Sequence, residues 1–402
     1  MRPFASTISL EEARRLLADH LRPITRTERL PLSAAAGRVA AADVASPMDV
    51  PPFARSAMDG YAVVSADVSG ASRDRPVRLR IADRIFTGQP SHQSVAQGSC
   101  AEIATGAPIP AGADAVVMVE ETTRSDADHV DLLVTAKAGQ NIGRRGADIA
   151  RGDLVVRTGN ALNASRLGAI AAIGCADVEV FAKPRVALVS TGSEVIDPGQ
   201  PLLPGQIYDV NRFTLAAVVE EHGGTPEAHR PAQDTLASLH DTLDACGNAD
   251  LIVFSGGSSV GDRDLLVDLV AARGQLVFHG IAVKPGKPTL FAHVNGAPFF
   301  GMPGNPTSCL SNAYILLVPF LRATARLPIY PARTLHVPLG RRIVSQAGRH
   351  QFFTVRVTDG VAYPAFKASG DITSLSQADG YIEIPATQSV VEEDTVVTVT
   401  LF

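Results

Sequence analysis

Apolar positions follow three different spacings along this chain. Near the start, Leu10, Ala13, Leu16, Leu17 and Leu21 fall on one helical face behind Ser9-Leu10-Glu11-Glu12, a capping box, which predicts a helix through about His20. From Pro47 to about Gly139 short β-like runs alternate with turn residues, most clearly at Ala115-Val116-Val117-Met118-Val119. Residues 140 to 182 read as a connector: turns from Gly143 to Gly152, a strand at Leu154-Val155-Val156, then a helix capped by Asn163. From Arg185 the spacing changes. Val186 to Val189 and Ile252 to Phe254 are strands. Helices are predicted over Asn211 to His222, Thr235 to Ala245 and Asp264 to Arg273, with a last one starting at Pro306. This is a three-layer α/β domain ending near Arg326; after Pro331 only strands and turns follow. The expected division is 1–47 with 139–180, then 48–138, 181–328 and 329–402.

Within the α/β part, residues 252 to 308 break four times into glycine and proline. Phe254 leads into Ser255-Gly256-Gly257-Ser258-Ser259-Val260-Gly261-Asp262-Arg263-Asp264, and Ile281-Ala282-Val283 into Lys284-Pro285-Gly286-Lys287-Pro288-Thr289. Leu290-Phe291-Ala292 ends at His293 and the turn Asn295-Gly296, and Phe299-Phe300 leads into Gly301-Met302-Pro303-Gly304-Asn305-Pro306. Parallel α/β sheets present ligand sites at the carboxyl ends of their strands through such turns. The lysines and backbone amides there predict an anionic ligand.

Composition sharpens this. Hydrophobic content of 46% and charged content of 19% describe a globular protein with ample core. By length alone, 402 residues suggest roughly two or three domains, fewer than the four parts into which the pattern divides the chain. A net charge of −5 argues against a nucleic-acid surface. The longest apolar candidate for a membrane span, Leu167 to Ala182, is broken by Asp177 and Glu179. Without a basic-then-apolar leader pattern, a cytoplasmic location is expected. The cysteines are far apart, so neither disulfides nor zinc are indicated. Lysine is scarce: only Lys137, Lys183, Lys284, Lys287 and Lys367 occur, which makes the Lys284–Lys287 pair stand out as oxyanion contacts.

Other candidates carry two readings each. Asp59, in Ala57-Met58-Asp59-Gly60-Tyr61, is either a hairpin turn or a site residue. Thr105 opens a tight turn, and its hydroxyl either stabilises that turn or holds a phosphate. Glu194, Asp234, Asp262 and Asp264 follow three strands; each could be a helix cap, and together they could hold a hard cation such as magnesium beside a phosphate. Gly257-Ser258-Ser259-Val260-Gly261 matches a hydrolase nucleophile elbow, with His279 or His293 as base, though Asp262 and Asp264 crowd Ser259 with negative charge. No P-loop or dinucleotide fingerprint is present.

Taken in order, Pro52 to Val63, Thr105 to Val119, Asn141-Ile142 with Arg144, Gly146 and Asp148, Ser190 to Glu194, Ser255 to Asp264, Lys284 to Pro288 and Pro303-Gly304-Asn305-Pro306 resemble the molybdopterin molybdenumtransferase family. That family is MoeA in bacteria and the C-terminal part of gephyrin in animals. The resemblance spans nearly the whole chain. It implies a central MogA-like α/β domain, β-rich N-terminal parts and a small C-terminal β domain. It further implies that molybdate is inserted into adenylated molybdopterin with AMP release, assisted by Mg2+. A homodimer is implied, with each site shared between subunits, together with contacts to molybdopterin adenylyltransferase and to cofactor acceptors.

By motif match, Asp59 and Thr105 are the partner-side contacts. Asp59, Lys284 and Asp264 carry the catalytic assignment, and Glu194 and Asp264 the metal. Thr105, Glu194, Asp234, Ser258, Ser259, Lys287, Pro303, Pro306, Arg349 and Ser369 bind substrate. The chain departs from the family pattern at Gly280, where a base is usual, at Ser193 and Gln233, where acids are usual, and at Thr373, where a serine is usual. The competing readings are an α/β serine hydrolase using Ser259 and a non-catalytic pterin-binding scaffold.

Overall fold

A computed structural model describes residues 7–257, 264–330, 332–345, 347–368 and 370–402. Two compact units emerge. One comprises residues up to Glu28, Gly37–Val39 and Val180–Phe402; the other comprises Arg29–Ala36 and Ala40–Glu179. The N-terminal helix α1 (Leu10–Asp19) forms as its pattern requires, with the Ser9 hydroxyl accepting from Glu12 N–H at 3.1 Å. Leu10, Ala13 and Leu17 share one core with Val186, Leu188 and Phe291 of the α/β body. Residues up to Glu28 therefore belong with that body, where the sequence reading grouped 1–47 with 139–180. Apolar burial decides the matter: the helix stripe is covered by the sheet.

In the second unit a six-stranded sheet runs in the order Ala115–Met118, Gly60–Val63, Ser99–Ile103, Val77–Ile85, His129–Leu132, Thr122–Arg124. Apolar side chains are buried on both its faces, Tyr61, Leu79, Cys100 and Val117 on one and Ala62, Ile85, Ala101 and Val116 on the other. The hairpin reading of Asp59-Gly60 fails: Arg55–Ser56 pairs with Ile142–Gly143, while Gly60–Val63 pairs with Ser99–Ile103 and Ala115–Met118. Glycine follows Asp59 for another reason: a Cβ at Gly60 would stand 1.9 Å from the Val117 carbonyl oxygen.

The α/β body holds β1 (Arg185–Ser190), α2 (Asn211–Glu221), β2 (Thr225–Ala228), α3 (Leu236–Ala245), β3 (Leu251–Ser255), α4 (Leu265–Arg273), β4 (Gly274–His279), β5 (Leu290–Val294) and β6 (Ala297–Met302). A long helix closes it: α5 (Pro306–Asn312), a π turn (Ala313–Leu317) and α6 (Val318–Thr324). The sheet order is β2-β1-β3-β6-β5-β4. β2, β1, β3 and β6 are parallel, whereas β5 runs antiparallel to both its neighbours.

Two of the four expected breaks change place as a result. The Asn295-Gly296 turn joins β5 to β6 at the opposite sheet edge from the β3 and β6 ends. Val283–Lys284 leaves the sheet altogether and pairs with His350–Gln351 of the C-terminal sheet. That sheet also contains Thr334–Pro338, Gly380–Ile384 and Val396–Leu401, and a short helix at Thr373–Ser376 interrupts the all-β pattern. Among the described residues no helix is long and apolar enough to cross a membrane.

Candidate functional site

The carboxyl ends of β2, β1, β3 and β6 open into one cleft of about 1230 Å3. Its floor is a polar network that secondary structure puts in place. Ser190, the last residue of β1, donates from its hydroxyl to Asp209 Oδ1 at 2.7 Å and lies 3.3 Å from the Ser255 hydroxyl, the last residue of β3. Asp209 in turn accepts from the Arg212 N–H at 3.1 Å, in the first turn of α2, and faces the Arg212 guanidinium at 3.4 Å. Asn211 Nδ2 donates to the Gly304 carbonyl at 2.8 Å, tying α2 to the turn after β6. Sequence pattern singles out Ser190 and Ser255 only within longer motifs and Asn211 only as a helix start. It gives no sign of Asp209, since Asp209-Val210-Asn211 looks like any helix start.

Close backbone packing shapes one wall. Gly256 (φ +95°) and Gly257 (φ +67°) lie against Thr191, where a Cβ on Gly256 would come within 2.6 Å of the Thr191 carbonyl oxygen. Only glycine meets both demands.

Glu194 and Asp234 line the cleft together. Although Asp234 is exposed overall, partial desolvation of its carboxyl in the cleft and then the neighbouring Glu194 charge hold it above its ordinary value. Asp234 is not the cap that one reading made it: Thr235 caps α3, its hydroxyl accepting from the Ser238 N–H. Asp264 is the cap of α4, accepting from Val267 N–H at 3.2 Å, and its other oxygen lies 3.2 Å from His279 Nε2. Among the described residues no three His, Cys, Asp or Glu side chains gather into a metal cage. Two carboxylates that repel each other in an open cleft nevertheless suit magnesium, which takes one or two carboxylates and completes its shell with water and substrate phosphate. Glu194 and Asp234 line one cleft and act on each other's charge, whereas Asp264 is engaged as the cap of α4.

Lys284, Lys287, Pro303, Pro306 and Arg349 line the same cleft. Both lysines are half-buried. Gly280, where the family pattern has a base, closes a backbone link by donating its N–H to the Thr289 carbonyl at 2.8 Å. Ser258, Ser259, Asp262 and Ser369 lie outside the described residues. Asp59 and Thr105 sit in the other unit, exposed and joined by a 2.7 Å hydrogen bond from Thr105 N–H to Asp59 Oδ1.

This arrangement has known counterparts. Residues 8–174 match the MoeA N-terminal region (domain I and II), residues 187–323 the probable molybdopterin binding domain, and residues 336–402 the MoeA C-terminal region (domain IV). A molybdopterin molybdenumtransferase of Haemophilus influenzae is 37% identical over 315 residues, 78% of this chain and 77% of that one. Molybdopterin molybdenumtransferase 2 of Mycobacterium tuberculosis is 36% identical over 391 residues, 94% of this chain and 95% of that one. A solved molybdopterin biosynthesis moeA protein from Pyrococcus horikoshii OT3 covers 99% of this chain and 100% of its own with a TM-score of 0.82 and 30% identity. These matches favour the transferase over the serine hydrolase reading. The chain belongs to the MoeA family of molybdopterin molybdenumtransferases.

Proposed function

We propose that this protein completes molybdenum cofactor synthesis by inserting molybdate into adenylated molybdopterin and releasing AMP. One observation carries the reading: the Lys284–Lys287 loop and the Glu194–Asp234 pair line a single cleft at the strand ends. Its volume of about 1230 Å3 exceeds the ~300–1,000 Å3 of ordinary small-ligand clefts, as a pterin joined to a nucleotide requires. Lys284 and Lys287 offset the pyrophosphate charge that builds up as the phosphoanhydride P–O bond breaks and water oxygen takes its place. Removing one such contact typically costs ~10²–10³ in rate. Magnesium, held by Glu194 and Asp234, would offset further phosphate charge. Arg349, Pro303 and Pro306 bound the pterin end.

Asp59 and Thr105 reach a cleft from a second copy of the chain, so the working form is a homodimer. Their exposure and their mutual hydrogen bond support this role. Contacts with the adenylyltransferase that supplies the substrate and with cofactor acceptors follow from the same reading, as does a cytoplasmic location. Incubating the protein with adenylated molybdopterin, magnesium and molybdate while following AMP tests it. Molybdate-dependent AMP release supports the reading; its absence beside an active control leaves the non-catalytic pterin-binding scaffold.

A further inference from the structure

Asn312 has no exposed surface, and its side-chain amide spends both N–H bonds on one loop. Nδ2 donates to the Gly286 carbonyl at 2.8 Å and to Thr289 Oγ1 at 2.5 Å. The Thr289 hydroxyl donates to the same Gly286 carbonyl at 3.0 Å. Three groups thus close a ring at the base of the Lys284–Pro288 loop. The fit is tight: a Cβ at Gly286, whose φ is +100°, would stand 2.3 Å from Asn312 Nδ2. Among the described residues the buried Asn312 carbonyl oxygen has no partner, a costly state, so the side chain's contribution lies in its two donors.

The helix is built around this residue. Asn312 ends α5, whose first residue Pro306 borders the cleft, and the helix opens into the π turn Ala313–Leu317 directly after it. A π turn shifts side chains out of α register and recurs at functional sites. On the loop side, Lys287 O accepts from both Ile281 N–H and Thr289 N–H, at 3.0 and 2.9 Å. The loop is therefore fastened on both sides of Lys287, and Lys284 and Lys287 flank the glycine that Asn312 holds.

We infer that Asn312 is a positioning residue. It does not line the cleft, yet it sets the shape of the loop from which both lysines meet the anionic substrate. The identity of that anion rests on the function proposed above; the contacts do not. A shift of about 1 Å in a positioned group is enough to cost binding and rate, and lysine meets an anion as a point charge whose place along the loop decides the contact.

Two variants attack the ring from opposite sides. Asn312→Asp keeps the volume and removes the donors; Gly286→Ala forces a Cβ against the amide. Leu239→Ala is the control for simple loss of stability, since Leu239 is buried in a separate core cluster with Ala187 and Phe254. Hydrogen exchange at the Ile281 and Thr289 amides, the affinity for AMP, and KM and kcat for AMP release are measured on each folded variant. Expected are faster exchange at those two amides, AMP affinity weaker and KM higher by about tenfold, the scale of one lost hydrogen bond, and a smaller change in kcat. Leu239→Ala lowers Tm and moves none of these. Exchange and KM unchanged in both variants, with only Tm lowered, overturns the inference. If the native protein neither binds nor releases AMP, the proposed function falls, and exchange at Ile281 and Thr289 still decides whether Asn312 holds the loop.

Discussion

The carboxylate of Asp59 accepts a 2.7 Å hydrogen bond from the backbone N–H of Thr105, so two turns far apart in sequence form one exposed feature. Asn at position 59 can still accept that bond but carries no charge, so Asp59→Asn should leave Tm nearly unchanged, as surface substitutions within ~0.5 kcal/mol do. AMP release should fall about 10²-fold, the lower end for loss of a positioned acid–base group at a reacting site. Lys284→Ala should do the same. If each site takes Asp59 from one copy and Lys284 from the other, mixing the two inactive variants restores one good site in every mixed dimer, about a quarter of the native activity for random two-fold assembly. No recovery on mixing, with mixed dimers shown to form, rejects the shared site.

Asp234 makes a second expectation. Its carboxyl is held above its ordinary value, so the folded protein keeps that proton to a higher pH than the unfolded chain does. The stability it contributes is present below the ordinary carboxylate value and lost as pH rises through the raised one. Asp234→Asn should therefore gain Tm relative to the native protein at pH 7 and lose that advantage at pH 3. Added magnesium should raise the native Tm by binding the folded state, and raise that of Asp234→Asn less. Equal magnesium shifts in the two proteins would remove Asp234 from the cation site.

The strand ends of the α/β body could be read in advance because fully buried strands and glycine-rich turns leave a strong signal at Phe254 and Phe300. The acids and lysines followed from position alone. Strand direction could not be read: nothing in Leu290-Phe291-Ala292 says that β5 runs against β6, since a buried strand looks alike either way. Asn312 was hidden for a different reason. A lone Asn inside a helix carries no local sign that its amide reaches a loop some 26 positions back. Asp209 was masked by its cap-like place before α2.

Thiol chemistry offers a simple check of the cores. Burial pushes Cys100 and Cys246 up to about 12 and raises Cys309 as well, while Cys175 is only half-buried. A thiol reagent acting on thiolate should label Cys175 in the native protein and leave the other three until denaturant is added. Rapid native labelling of Cys309 would contradict the closed packing beneath α5.

His293 governs a last expectation, on acid stability. Its Nε2 lies 3.0 Å from His20 Nδ1, joining β5 to the end of α1, with the Phe291 ring against both. One neutral ring can donate to the other; two charged rings cannot share that contact. Burial lowers the His293 value first, and the His20 and Arg22 charges lower it further. The unfolded chain thus takes up the proton near its ordinary value of ~6.5, before the folded protein does. The stability contributed is present above that value and lost as pH falls through the lowered one. Buried His222, whose value is also lowered, adds to the slope in the same direction. His293→Gln should then flatten part of the fall in Tm between pH 7.5 and 5, and a double change with His222→Gln should flatten more. Parallel Tm curves for the native protein and His293→Gln would show that the pair carries no proton-linked stability. Because α1 ends at this pair and its apolar face belongs to the same core as β5, acid should loosen the helix first, seen as early hydrogen exchange over Leu10–Asp19.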